Sequence, residues 1–172
     1  MKRRAKRTFL GCGRMRSDKR TVIIGTVLVF ISGLISRLLS GSPLRMLHIT
    51  GARAIVPPVW FFMLVWLAWY LLLGFCFGFI LGSEPVGKSV HKYKGCFWFI
   101  VMMIFNVLWY PLFFKAGMIF LALIDLAFIL VFCVLTFLEY RRIHKTVGLI
   151  LFLHMIWLIF CLCINIRIFI HV

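Results

Sequence analysis

The sequence predicts an all-α membrane protein, a bundle of five transmembrane helices. Three observations carry that prediction. Hydrophobic residues make up 64% of the 172-residue chain and charged residues only 14%, where a soluble domain averages about a quarter charged. The apolar residues fall into long intervals without charge, at Thr21–Ser36, Ala54–Ser83, Gly95–Phe114 and Thr146–Ile166, with Asp125 the one charge between Ala116 and Leu138. Such runs match the ~17–25 apolar residues that a hydrocarbon core of ~30 Å requires of a helix. The third observation is a lopsided distribution of basic residues.

Five helices follow in order, near residues 21–40, 58–81, 96–114, 118–138 and 147–170. The first reaches spanning length if Arg37 extends its guanidinium to the interface. The second opens with prolines in "VPPVW", where a missing N–H is harmless, and carries Gly74, Gly78 and Gly82 at every fourth position. Such a ladder lets two helix backbones approach closely, within one protomer or across a dimer. The third holds "FNVLWYPLFF", in which Pro111 cannot donate to the carbonyl of Val107, so the helix bends or leaves an acceptor free. The fourth buries Asp125 near its middle, where insertion scales charge ~3 kcal/mol for an ionised carboxylate. Asn106, Tyr70, Trp66 and His154 are its candidate partners on neighbouring helices. The fifth is apolar apart from His154, Trp157, Cys161 and Asn165, at steps of three, four and four.

Nine of the twenty Lys/Arg lie within residues 1–20, and the connections after helices two and four add three each, leaving five for the opposite side. This positive-inside pattern puts the N-terminus in the cytoplasm and divides the chain into a basic tail, 1–20, and a membrane domain, 21–172. The net charge of +16 is therefore read as a topology signal with adhesion to anionic lipid, and a nucleic-acid partner is set aside. No small-residue cleavage site closes the first apolar run, so no removable signal peptide is expected. The six cysteines show no metal-ligand spacing, and Cys161 and Cys163, two apart, face opposite sides of a helix.

Polar and aromatic residues align into inward stripes. Trp66, Tyr70, Gly74 and Phe77 share one face of helix two, and Asn106, Trp109 and Phe113 one face of helix three. With Asp125 and the His154–Asn165 stripe they converge on an interior pocket lined with aromatics, because polar groups in lipid turn inward. Asn106 either serves that pocket or ties helix three to Asp125. The opposing structural account is interhelical hydrogen bonding, worth ~1 kcal/mol or less per contact.

These residues resemble the TspO/MBR family, the tryptophan-rich sensory proteins that include the mitochondrial translocator protein. The family's PP-x-W, with Trp, Tyr and Gly at fixed steps beyond, is matched by Pro57, Pro58, Trp60, Trp66, Tyr70 and Gly74. Its N-x-x-W-x-P-x-F-F is matched by Asn106, Trp109, Pro111, Phe113 and Phe114. Ala122 to Asp125 matches its helix-four A-L-(V/I)-D, and Trp157 with Asn165 its helix five. The resemblance implies a homodimeric five-helix bundle that binds porphyrins such as protoporphyrin IX or haem, less readily sterols. In some bacterial members it implies light-dependent porphyrin breakdown on tryptophans that map to Trp66 and Trp157. The family's aromatic first-loop motif is absent from Gly41 to Trp60, helix five reads Leu153–His154 where the family has Pro-Tyr, and Ile166 replaces the Tyr of the cholesterol motif. A bacterial-type member in a cell membrane is the expectation. The other class of reading is a non-transporting adaptor whose basic tail recruits lipid or protein. Acid–base or metal-assisted hydrolysis is poorly supported, since only one of the four acids lies within a span.

Overall fold

The computed structural model of the protein describes residues 17–41 and 58–171. The basic tail up to residue 16, with Cys12, and the first loop over 42–57, from which the family's aromatic motif is absent, lie outside the described residues. Five helices follow: α1 Lys19–Leu39, α2 Val59–Leu81, α3 Ser89–Tyr110, α4 Ile119–Ile143 and α5 Lys145–His171. A π-helical turn, Pro111–Lys115, extends α3. All five are long and apolar enough to cross a bilayer.

The helices close a ring in the order α1–α2–α5–α4–α3, with α4 packed along both α3 and α5 and α1 packed along α2. Its outer surface is apolar, with Ile23, Leu64, Leu71, Phe120 and Phe128 among the exposed side chains, whereas Ser36, Asn106, Asp125, Thr136, His154 and Asn165 are buried. That inversion of the soluble pattern is what a hydrocarbon solvent selects.

The glycine ladder of α2 is used inside the protomer. A Cβ on Gly78 would lie 2.7 Å from the carbonyl oxygen of Val22, one on Gly74 2.8 Å from Thr26 Cα, and one on Gly82 2.7 Å from Ser17 Oγ. Gly25 answers from α1, where an added Cβ would meet Gly78 Cα at 2.6 Å. Backbone contact of this kind gives dispersion energy that larger side chains would forbid.

Four helices run beyond their expected bounds at one end: α1 starts two residues early, α3 seven early, α4 ends five late, and α5 starts two early. The extra residues include His91, Lys92, Lys94, Glu139, Arg141, Arg142 and Lys145. Charge limits where a span sits in lipid, not where a helix stops, and Lys, Arg and Glu are good helix formers. These ends are tied together by polar contacts. His91 Nδ1 pairs with Glu139 Oε2 at 2.6 Å, Lys92 Nζ donates to Ser83 O at 2.7 Å, and Lys88 Nζ donates to Arg142 O. Asp18 caps α1, accepting from Thr21 N at 3.1 Å and Thr21 Oγ1 at 2.8 Å. Those bonds, the side-chain one foremost, hold its carboxyl below the usual range.

Pro111 has the consequence its ring dictates. Val107 O, deprived of a donor from residue 111, accepts Ser36 Oγ at 2.8 Å from α1. Beyond the proline the helix widens, with Ala116 N donating to Pro111 O at 3.0 Å, five residues back. A neighbouring helix therefore satisfies the carbonyl that the proline frees.

Candidate functional site

The stripes of α2, α3 and α5 meet inside the ring. Trp66 stacks on Trp109 with ring centroids 5.5 Å apart and planes inclined by 22°, and Trp109 stacks on Phe113 at 5.2 Å and 14°. This offset stack is the arrangement that ring quadrupoles favour. Trp157 meets Trp66 edge-on at 6.5 Å, and His154 meets it edge-on at 6.4 Å. The Tyr70 hydroxyl donates to Asn106 Oδ1 at 3.1 Å.

Nine of the ten residues singled out in the sequence are buried: Trp66, Tyr70, Asn106, Trp109, Phe113, Asp125, His154, Cys161 and Asn165. Trp157 is half-buried. Their grouping differs from the expectation in two respects. Asp125 makes no hydrogen bond to Asn106, Tyr70, Trp66 or His154, and Asn106 instead ties α3 to α2 through Tyr70. The reason is geometric: α4 stands across the ring from α2, and Asn106 turns its oxygen to the nearer donor. The aromatics also pack on one another instead of enclosing a void at their centre. The open space lies beside them, as a cavity of about 410 Å³ between α1 and α2. Trp66, Tyr70 and Tyr110 form its inner wall, Gly33 and Arg37 its α1 side, and the exposed Leu64 and Leu67 its rim toward the bilayer. Of the ten residues only Trp66 and Tyr70 line it.

Phe62 and Tyr110 were absent from the sequence-derived site. Phe62 lies 5.7 Å from Trp157, 6.1 Å from Trp109 and 6.2 Å from Trp66, bridging three indoles. It sits four residues before Trp66, so extending the Trp66–Tyr70 stripe one turn back would have found it. Tyr110 contacts Trp66 at 6.3 Å and Trp109 at 5.4 Å, and only ring order reveals that.

The polar chemistry of the site is unusual in being unpaired. Six buried polar atoms here have no hydrogen-bond partner, the indole N–H of Trp66, Trp109 and Trp157, Asn106 Nδ2 and both ring nitrogens of His154, and Asp125 Oδ2 on α4 and Asn165 Oδ1 on α5 are unpaired as well. Every one belongs to a residue of the sequence-derived set. An unpaired polar group in a low-dielectric interior costs about 1–3 kcal/mol, a cost that apolar residues in these positions would not carry. Among the described residues no three His, Cys, Asp or Glu gather closely enough to hold a metal ion. Cys161 is buried and Cys163 exposed, on opposite faces as their spacing requires.

A model of the TspO/MBR family matches residues 22–171, all five helices. The chain belongs to the TspO/MBR family. Among curated relatives it is similar to the tryptophan-rich protein TspO of Chlorobaculum tepidum, 28% identical over 109 residues, covering 63% of this chain and 68% of that protein. The protein is thus a multi-pass integral membrane protein of a sensory and transport-related family, in contact with the lipid bilayer through the apolar outside of its ring.

Proposed function

We propose that this TspO/MBR member is a receptor or carrier for porphyrins, protoporphyrin IX or haem, or for similarly flat hydrophobic compounds. The observation that carries the reading is the Trp66–Trp109–Phe113 stack, next to a cavity that opens toward the bilayer, with six unpaired polar atoms on the stack and the residues packed around it. A planar macrocycle offers a face for aromatic stacking. Such a macrocycle would extend the stack through Trp66, the stacked ring that lines the cavity. Its volume of about 410 Å³ falls in the range of ligand pockets, ~300–1,000 Å³. A bilayer-facing rim suits a ligand that arrives through lipid. The positive-inside pattern supports a cytoplasmic N-terminus, a bacterial cell membrane is the proposed location, and homodimerisation would use a face other than the glycine ladder, which α1 occupies.

Titrating protoporphyrin IX into the purified protein tests this reading through tryptophan fluorescence. Saturable quenching in the micromolar range is the expected outcome. Trp66→Phe, which keeps an aromatic ring in the core, weakens the affinity about three- to tenfold. Absence of saturable quenching sinks the porphyrin reading.

A further inference from the structure

The corner between α4 and α5 takes no part in the aromatic site, yet its residues suit one class of ligand. Only His144 separates Ile143, the last residue of α4, from Lys145, the first of α5. Gly148 allows the tight corner: a Cβ there would fall 2.7 Å from Arg141 Cβ and 3.0 Å from Arg141 Cα. The corner bounds a concave space of about 440 Å³ lined by Arg141, Arg142 and Lys145 together with Phe137, Leu149 and Phe152. The two kinds of residue are separated along the bundle axis. At about 1.5 Å of rise per residue, Phe137 lies roughly 6 Å deeper than Arg141, and Phe152 roughly 10 Å deeper than Lys145. The phenyl rings of Phe137 and Phe152 are 6.3 Å apart, and the Arg141 guanidinium carbon stands 5.2 Å from the Phe137 ring centre.

The charge at this corner is one-sided. Among the described residues the one salt bridge is His91–Glu139, so no carboxylate neutralises Arg141, Arg142 or Lys145. Lys88 adds a fourth cation by donating to the Arg142 carbonyl. The first turn of α5 contributes as well, since its first backbone bond is Gly148 N to His144 O at 3.1 Å. The N–H groups of Lys145, Thr146 and Val147 therefore precede any carbonyl partner in the helix, and a helix N-terminus with free N–H groups favours an anion.

We propose that this corner binds an anionic phospholipid, its headgroup phosphate held by Arg141, Arg142 and Lys145 and an acyl chain laid along Phe137, Leu149 and Phe152. A basic recess between transmembrane helices matches an anionic headgroup by charge, and the apolar wall directly below it matches a chain by burial. A free phosphate would use the cations alone and leave that wall unoccupied, so the two halves together select a lipid.

The full chain in zwitterionic detergent is titrated with phosphatidylglycerol, with phosphatidylcholine and with inorganic phosphate, reading the unfolding midpoint and the lipid retained in native mass spectrometry. Phosphatidylglycerol raises the midpoint and is retained, and the other two leave both unchanged. The triple change Arg141→Gln, Arg142→Gln, Lys145→Gln weakens retention about tenfold or more. Removing equal charge elsewhere on the same end, by Lys19→Gln, Arg20→Gln and Lys94→Gln, leaves it within about twofold. Phe152→Ser weakens phosphatidylglycerol retention without touching any cation. Equal losses from the two triples would show a diffuse field and overturn the site. An equal response to phosphatidylcholine would overturn its charge selectivity, and one to inorganic phosphate its lipid specificity.

Discussion

The basic end of the bundle and its aromatic interior treat polar groups in opposite ways. At the basic end, Asp18 caps α1, Lys92 reaches Ser83 O, and His91 is paired with Glu139. Water is available there to satisfy whatever the protein does not, yet the protein pairs these groups and leaves one buried side-chain atom, His144 Nδ1, without a partner among the described residues of that end. In the interior, where nothing outside the protein can compensate, eight polar atoms stand unpaired, six of them in the aromatic cluster. An interior selected for stability alone would have filled these positions with Leu or Phe, as the rest of the chain does. The difference separates a part of the molecule that holds the helices from a part that is kept ready for something else.

The comparison breaks most severely at the tight end. Gly78→Leu puts a side chain where a Cβ alone would meet Val22 O at 2.7 Å, and the obstructing atoms are backbone, which cannot step aside. Forced overpacking of this kind costs about 3 kcal/mol or more, and the variant is expected to lose its folded, monodisperse peak in detergent chromatography. The interior should respond in the other direction. Asp125 is buried, and its Oδ2 has no partner. Asp125→Leu is therefore expected to raise the unfolding midpoint, by an amount corresponding to about 1–3 kcal/mol. A lowered midpoint would show that the carboxyl is held by the fold and would erase the contrast at that position. The smallest of these effects belongs to the junction of the two regions. Ser36→Ala leaves Val107 O without its donor, costing about 1 kcal/mol, read as a small fall in midpoint with ligand quenching retained.

The sequence displayed the helices because lipid thickness sets a minimum length for an apolar run, and charge interrupts such runs visibly. It displayed the stripes because Trp66 and Tyr70, or Asn106 and Trp109, recur at the helical period whatever lies opposite. Contacts across the ring were less legible. Asp125 had four candidate partners at sequence level, Asn106 among them, and only the folded arrangement shows Asn106 bonded to Tyr70 instead. Ser36 gives no hint that it serves a carbonyl 71 residues away. The α1 side of the cavity was hidden for a different reason, since Gly33 carries no polar atom and Arg37 reads as an interfacial anchor. Phe62 was legible and overlooked, because a phenylalanine in a chain with nineteen of them does not draw attention.

The π-helical turn at Pro111–Lys115 bears on the molecule as a matter of counting. Its defining bond spans five residues where an α-helix spans four, so the turn accommodates one residue more than the surrounding helix. Removing one residue from this stretch would leave the amino-acid types almost intact and restore an ordinary helix. Everything after it would then swing by about 100° around the axis, carrying Phe113, Phe114 and the approach to α4 away from Trp109. The aromatic stack depends in this way on the length of a segment as much as on the identity of its rings. A deletion that no composition-based comparison would notice would dismantle it.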